Sequence, residues 1–146
     1  MKALSLTEPW ATLVVTGEKQ FETRSWKTSH RGLIAIHASK GFPKYAKEMA
    51  ETPNVLNALA RHGLGRNIAN FALGAIIGTV EIVEMIPTEE MLYPKLNLKE
   101  LYFGDYSPRR WAWKLQNPVM FSTPIYCKGA LSLWKVPEDI SILLEK

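Results

Sequence analysis

The sequence has few of the features that mark disulfide-stabilised, metal-binding or membrane proteins. It contains one cysteine, Cys127, among 146 residues, which excludes an internal disulfide and any metal site built from several cysteines. Its apolar runs fall far short of the about 20 residues that a membrane-spanning helix needs. The first residues show no signal-peptide core. We therefore expect a cytoplasmic protein with no membrane partner.

The motifs of several enzyme classes are also missing. The sequence has no phosphate-binding loop, no dinucleotide fingerprint and no zinc-ligand spacing. It has no nucleophile elbow that would support a serine hydrolase. We expect no metal and no cofactor, so a candidate site must be sought among the charged residues.

The composition is that of a folded domain with cations concentrated at its two ends. Hydrophobic residues make up 47% of the chain, and the length suits a single domain over residues 1–146. The net charge is +4; residues 1–47 hold eight Lys or Arg against three acids, and residues 107–146 hold six against three. If the ends meet in space, one face is positive and nucleic acid is its obvious partner; the alternative is a solvated surface.

Residues 17–26, GEKQFETRSW, carry the densest group of chemically active side chains. The pattern predicts a strand over 19–26 that follows a short helix. Side chains alternate along a strand, so Glu22, Arg24 and Trp26 share one face. A carboxylate and a guanidinium are costly to bury without partners, which indicates that this face forms the wall of a polar cleft.

Lys19 lies at the start of the same strand, close to Glu22. A lysine beside a carboxylate in a partly dry cleft can act as a general base or a nucleophile if its pKa falls. The alternative is a plain ion pair that shapes the cleft. Glu81 interrupts an apolar strand predicted over 72–86, where it is either a third member of the site or a solvent-facing residue.

Two further segments combine cations with tryptophan. Residues 27–32 predict a polar, basic turn, and Arg109–Arg110 precede a predicted strand in which Trp111 and Trp113 share a face. Trp10 lies on the buried face of the first helix, where a core position and a cleft position are both open. The many short strands favour a small closed or partly open barrel with helices on its outside.

Three stretches of the chain resemble the ASCH family, the activating signal cointegrator homology domains. Residues 4–11, LSLTEPWA, are similar to the family's apolar lead into a Pro-Trp-Ala helix start. Residues 17–26 match its G-x-K-x-x-E-x-R signature, and residues 103–115 with 128–134 match its later strands. The resemblance implies an α+β fold, a small PUA-like β-barrel with peripheral helices, and a cleft lined by the signature residues.

The resemblance also implies a class of function. Family members are viewed as RNA- or DNA-binding modules, and some small bacterial relatives resemble enzymes that cut RNA or remove an acyl group from modified cytidine. The latter branch uses a lysine, a threonine and a glutamate. Lys19 matches the lysine, Glu81 matches the glutamate, and Glu22 occupies the threonine position.

Three functional hypotheses follow from the sequence. The first is a module that binds single-stranded RNA or DNA, or a nucleotide, in a basic cleft. Its predicted contacts are Trp10, Lys19, Arg24, Trp26, Lys27, Arg31, Lys40, Arg109 and Arg110. The second is a hydrolase that acts on RNA or an acylated cytidine through Lys19, Glu22 and Glu81. The third is a domain that binds a protein partner through the same cleft.

Overall fold

The computed structural model describes residues 1–64 and 70–144, which form six strands and five α-helices. The strands are β1 (Lys2–Leu6), β2 (Phe21–Arg24), β3 (Gly32–Ala38), β4 (Ala75–Pro87), β5 (Trp111–Tyr126) and β6 (Leu133–Lys135). The helices are α1 (Trp10–Val15), α2 (Lys44–Ala50), α3 (Pro53–Arg61), α4 (Leu98–Phe103) and α5 (Glu138–Leu144). Within these ranges, every helix is too short or too polar to cross a membrane.

The strands form one mixed sheet in the order β2-β5-β4-β3-β1-β6 that curls into a half-barrel. β1 and β3 run parallel, and the other neighbouring pairs run antiparallel. The β4–β5 pairing shifts register at three places, and such irregularities bend and twist a strand pair. These bends let two long strands curve around the core. The α+β class predicted from the sequence is confirmed.

The core lies between the sheet and α1. Val14 and Val15 of α1 pack against strand residues that include Ile34 and Trp113, and Trp113 is fully buried. Gly78 of β4 permits this close contact, because a Cβ atom there would lie 2.1 Å from the Val119 carbonyl oxygen and under 3 Å from Val15. The helix is therefore fixed directly against the centre of the sheet, beside the signature residues that follow it.

β2 is shorter than the strand predicted over 19–26. It pairs with β5 from Phe21 to Arg24, and β5 begins at Trp111, the partner of Arg24. The hydrogen-bonded pairing of β2 ends at Arg24 because β5 begins opposite that residue. Trp26 therefore lies beyond the strand, in a bend. The prediction that Glu22 and Arg24 share a strand face is confirmed, whereas the placement of Trp26 in the same strand is wrong.

Candidate nucleic-acid interface

A cleft of about 470 Å³ opens beside β2. Its walls come from the end of β1, the start of α1, α2, the end of α4 and the loop that leads into β5. The lining residues are Leu6, Thr7, Trp10, Glu22, Thr23, Arg24, Tyr45, Met49, Tyr102, Phe103, Gly104, Asp105 and Arg110. The cleft therefore combines two guanidinium groups, two carboxylates and four aromatic rings.

Glu22 lies at the floor of the cleft between two cations. Its Oε1 atom lies 3.4 Å from the Nζ atom of Lys19. Its Oε2 atom accepts a 3.2 Å hydrogen bond from Arg24 Nε and lies 3.2 Å from Arg24 Nη2 in an ion pair. The backbone N–H of Thr23 donates to Oε1 at 3.1 Å. Glu22 is buried, so these partners replace the water that a carboxylate would otherwise need.

Arg24 is held in place from two sides. Its Nε and Nη2 atoms face Glu22, and Nη2 also donates to the Ser5 carbonyl oxygen at 3.2 Å. Within residues 1–64 and 70–144, its Nη1 atom has no hydrogen-bond partner, and 27% of the side chain is exposed. The fixed acceptors orient the guanidinium group and leave one of its nitrogens available to a ligand.

Lys19 lies behind the cleft floor and is almost fully buried. Its Nζ atom donates to the Phe21 carbonyl oxygen in addition to its contact with Glu22. Lys19 lines a separate recess of about 290 Å³ next to β5. It therefore supports Glu22 from behind, and a ligand in the cleft meets Glu22 and Arg24 first.

Two ionisable groups that the sequence analysis did not identify lie close to this pair. Glu100 of α4 is buried, and its Oε2 atom accepts a 2.8 Å hydrogen bond from the Gln20 backbone N–H. Burial raises the pKa of Glu100, and the nearby Lys19 ammonium opposes that rise. Burial also raises the pKa of Tyr106, with further contributions from the charges of Glu100 and Glu22. Neither residue stands out in the sequence, because Glu100 follows Lys99 in α4 as an ordinary pair of helix charges would.

The loop before β5 closes one edge of the cleft through Arg110. Its Nη2 atom donates to the Thr23 carbonyl oxygen at 3.1 Å, and its guanidinium lies 3.5 Å from the Asp105 carboxylate. The backbone N–H of Arg109 donates instead to the Glu89 carboxylate at 3.2 Å. The predicted pair Arg109–Arg110 is therefore divided, with Arg110 in the cleft wall and Arg109 exposed beside Glu89.

The basic turn after β2 lies near the same end of the sheet. The pairing of Arg24 with Trp111 brings the chain that leaves β2 beside the start of β5. The Nζ atom of Lys27 lies 4.7 Å from the centre of the Trp111 ring. Arg31 donates to the Thr28 and His30 carbonyl oxygens at 2.8 and 3.0 Å, and its side chain is exposed. Both cations are exposed, and Lys27 lies beside the start of β5.

The aromatic rings of the cleft differ from those predicted. Trp10 does line the cleft, with its ring 6.1 Å from that of Tyr45, which is 63% exposed. Tyr102 adds a further partly exposed ring. Trp26 instead packs edge-on against Trp113 at 4.9 Å and contacts the main core. Tyr45 and Tyr102 arrive from distant helices, so no local pattern could have indicated them.

Glu81 lies apart from the Lys19–Glu22 pair. Its carboxylate accepts a hydrogen bond from the Asn117 side chain. Glu22 and Met85 both pair with Trp113, so they lie in one row across the sheet. Because a strand rises about 3.3 Å per residue, Glu81 lies about 13 Å along β4 from that row. The structure brings together two of the three predicted catalytic residues.

Lys40, the remaining predicted contact, lies outside the cleft. It follows β3 and lines a larger groove on the other side of Arg24, together with Lys128. Arg24 belongs to the walls of both the cleft and this groove. The two recesses therefore adjoin at one guanidinium group.

Two proteins of known name are similar to this chain along nearly its whole length. Human (Homo sapiens) activating signal cointegrator 1 is 28% identical over 142 residues, which cover 94% of this chain and 22% of that protein. The mouse (Mus musculus) protein of the same name is 27% identical over the same shares. The chain thus spans 22% of the length of these relatives.

The fold is also similar to solved structures. The crystal structure of ASCH from Zymomonas mobilis matches with a TM-score of 0.61 and 15% identity, and the match covers 99% of this chain and 92% of that one. A mutant of the same protein matches with a TM-score of 0.58, 15% identity and coverage of 99% and 95%. Both matches establish the PUA-like fold. The ASCH domain family model matches residues 4–124, and this chain belongs to the ASCH domain family.

Proposed function

We propose that this domain binds single-stranded RNA or DNA, with one nucleotide in the cleft and neighbouring phosphates on the cations around it. The observation that carries the proposal is the state of Arg24. Glu22 and the Ser5 carbonyl oxygen orient its guanidinium group, while Nη1 is left without a partner among the described residues. A guanidinium fixed in this way loses little freedom when it binds a phosphate oxygen.

The walls of the cleft suit a base. Trp10, Tyr45 and Tyr102 line it, and single-stranded nucleic acids are commonly bound by stacking bases on such rings. Its volume of about 470 Å³ is large enough for a nucleotide and lies in the range of small-molecule sites. Stacking does not depend on base identity, so we expect little sequence preference from these rings alone.

Cations of the cleft wall and of the turn after β2 supply the phosphate contacts. Lys27 and Arg31 lie in the turn after β2, and Arg110 forms part of the wall. Each phosphate contact releases counterions from the nucleic acid, so affinity falls with salt by roughly 0.7 log units per contact per tenfold salt for a single strand. Binding should therefore be steeply salt-dependent.

The proposal is tested by fluorescence anisotropy with labelled eight-nucleotide RNA and DNA over a series of salt concentrations. Arg31→Ala should flatten the salt dependence by roughly one contact, about 0.7 log units per tenfold salt. Lys44→Ala is the matched control, because Lys44 is 91% exposed and lines neither the cleft nor the groove. If the unmodified protein shows no salt-sensitive binding at low ionic strength, the proposal fails.

The second candidate function is a hydrolase that acts on RNA or an acylated cytidine. The 3.4 Å contact between Lys19 and Glu22 favours it, because a lysine beside a carboxylate is a common arrangement for proton transfer. A screen of acylated cytidines and short RNAs, with Lys19→Met and Glu22→Gln as controls, tests this function. Turnover that persists in both variants, or the absence of turnover, would reject it.

A further inference from the structure

A groove of about 860 Å³ adjoins the cleft at Arg24, and we call it the basic groove. It lies between the ends of β1 and β3 and the segment that joins β5 to β6. The members used below are Ser5, Arg24, His37, Lys40, Tyr126 and Lys128. Of these side chains, only that of Arg24 belongs to the family signature and to the proposed function, which leaves the others without a role.

The lining of the basic groove has one sign of charge. It contains Arg24, Lys40 and Lys128, and among the described residues that line it there is no Asp or Glu. Lys40 and Lys128 are both exposed, and in the described part of the chain neither forms an ion pair. The cleft, by contrast, contains Glu22 and Asp105. The lining of the groove therefore holds less negative charge than the lining of the cleft.

A chain of hydrogen bonds forms the floor of the basic groove. The Cys127 carbonyl oxygen can only accept, so His37 carries its proton on Nε2 and donates to that oxygen at 2.9 Å. The other ring nitrogen then accepts from the Ser5 hydroxyl at 3.0 Å, and Ser5 Oγ accepts from the indole N–H of Trp134 at 3.1 Å. A Cβ atom on Gly129 would lie 2.6 to 2.8 Å from His37 and Ser5. The segment that carries Lys128 is thus seated directly on the sheet.

An aromatic ring lies at the edge of the same groove. Tyr126, at the end of β5, is 66% exposed and adjoins the segment that carries Lys128. An exposed ring beside unpaired cations is the combination with which proteins bind single-stranded nucleic acid without sequence preference. An acidic peptide would use the cations but would gain little from the ring.

We propose that the basic groove is a second nucleic-acid subsite, which continues the path of a single strand beyond the cleft. Arg24 contacts the phosphate at the junction, Lys40 and Lys128 contact the next phosphates, and Tyr126 stacks on a base. The inference rests on the proposed function, because it assumes that the nucleic acid passes from the cleft into the groove. It adds a binding site of its own, and it predicts that affinity depends on the length of the ligand.

The test compares the Lys40→Ala, Lys128→Ala double variant with unmodified protein in anisotropy titrations of two- and eight-nucleotide strands. The double variant should lose two contacts with the eight-nucleotide strand, which flattens its salt dependence by about 1.4 log units per tenfold salt, at about 0.7 per contact. Binding of the two-nucleotide strand should not change. Tyr126→Ala should weaken binding of the longer strand about fivefold or more with an unaltered salt dependence.

The matched control is the Lys44→Ala, Lys95→Ala double variant, which removes the same charge from two exposed lysines outside both recesses. It should retain the salt dependence of the unmodified protein. All substituted side chains are exposed, and thermal melting checks that each variant is folded. If both double variants lower affinity equally, the groove is only part of a general positive field and the inference is overturned.

The remaining outcomes separate the groove from the cleft. If the eight-nucleotide strand binds and the Lys40, Lys128 variant keeps its full salt dependence, the groove inference fails while the proposed function stands. If only the eight-nucleotide strand binds, and its binding depends on Lys40 and Lys128, the groove inference is supported while the proposed role of the cleft is rejected. If a glutamate-rich peptide competes as well as the nucleic acid, the groove is a site for acidic protein and the inference fails.

Discussion

The carboxylate of Glu22 lies 3.4 Å from the buried ammonium of Lys19 and also accepts a 3.2 Å hydrogen bond from Arg24 Nε. The two cations approach different oxygens of the one carboxylate, from behind the cleft floor and from within the cleft. The signature spacing of these residues thus produces a short charge row that ends in a partly exposed guanidinium. We infer that the row orients Arg24 for its ligand.

Lys19→Met should destabilise the fold, because it leaves Glu22 buried with one cation fewer. Breaking a buried pair by removal of one partner typically costs about 3–5 kcal/mol. We expect the free energy of unfolding to fall by about 3 kcal/mol, the lower end of this range, because Arg24 still pairs with Glu22. Urea unfolding measures the change in the free energy of unfolding. The Lys19→Met, Glu22→Gln double variant should lose less than the sum of the two single variants, and a Lys19→Met loss under about 0.5 kcal/mol would contradict the prediction.

Glu8 should make the stability depend on pH near neutrality. Burial raises its pKa from 4.5 to about 7, against hydrogen bonds from the hydroxyl and backbone N–H of Thr12 that lower it. Because the folded pKa is above the unfolded value, the stability that Glu8 contributes is full below pH 4.5 and is lost as pH rises through about 7. The pKa difference of about 2.5 corresponds to about 3 kcal/mol.

Glu8→Gln provides the comparison, because glutamine can still accept from the Thr12 backbone but does not ionise. Urea unfolding at pH 4.5 and pH 8 should show that the unmodified protein loses about 3 kcal/mol relative to the variant across this interval. Parallel pH profiles for the two proteins would show that Glu8 ionises normally in the folded state, contrary to this expectation.

Glu18 should have the opposite pH dependence. It joins the end of α1 to α3 and α4, with its Oε1 atom accepting from Arg61 Nε at 2.9 Å and its Oε2 atom 3.3 Å from Lys99. Burial raises its pKa, but the bonds from Arg61 and Lys99 outweigh burial and leave the pKa below 4.5. The contribution of Glu18 is therefore present above pH 4.5 and is lost as pH falls through the lowered pKa.

Glu18→Gln should cost about 1.5–3 kcal/mol at pH 7, the usual range for hydrogen bonds to a charged group. The difference from the unmodified protein should shrink at pH 3. The control is Glu48→Gln, since Glu48 forms a 4.0 Å pair with Lys44 in which both side chains are largely exposed, and such pairs contribute at most about 1 kcal/mol. Equal losses of unfolding free energy in the two variants would indicate that the Glu18 contacts stabilise the fold no more than an exposed ion pair does.

Tyr45→Ala should weaken binding of short single strands without altering the salt dependence. The ring lines the cleft and is 63% exposed, so it is accessible for stacking, which is worth about 1–3 kcal/mol per base. Tyr93→Ala, a change at an 85% exposed ring outside the cleft, should leave affinity unchanged. Trp26→Ala should instead lower thermal stability, because Trp26 packs against Trp113. An affinity loss at Trp26 and none at Tyr45 would reverse this assignment.

The relation between Glu22 and Arg24 could be predicted because it depends on local geometry. Side chains two residues apart in a strand point the same way whatever the rest of the fold does. The same reasoning failed for Trp26, because the end of a strand is set by its partner. β5 begins at Trp111, opposite Arg24. The sequence of residues 19–26 contains no information on where that distant strand begins.

The sequence by itself determined the shared face of Glu22 and Arg24, because short-range spacing along a strand specifies it. Its resemblance to the ASCH family implied the α+β class. Only the tertiary structure decided what surrounds that face. It brings Glu100 near Lys19, adds Tyr45 and Tyr102 to the cleft and leaves Glu81 elsewhere. Contacts between residues far apart in the chain depend on strand register and on how each helix docks. Both are set by packing of the whole core, which no single segment encodes.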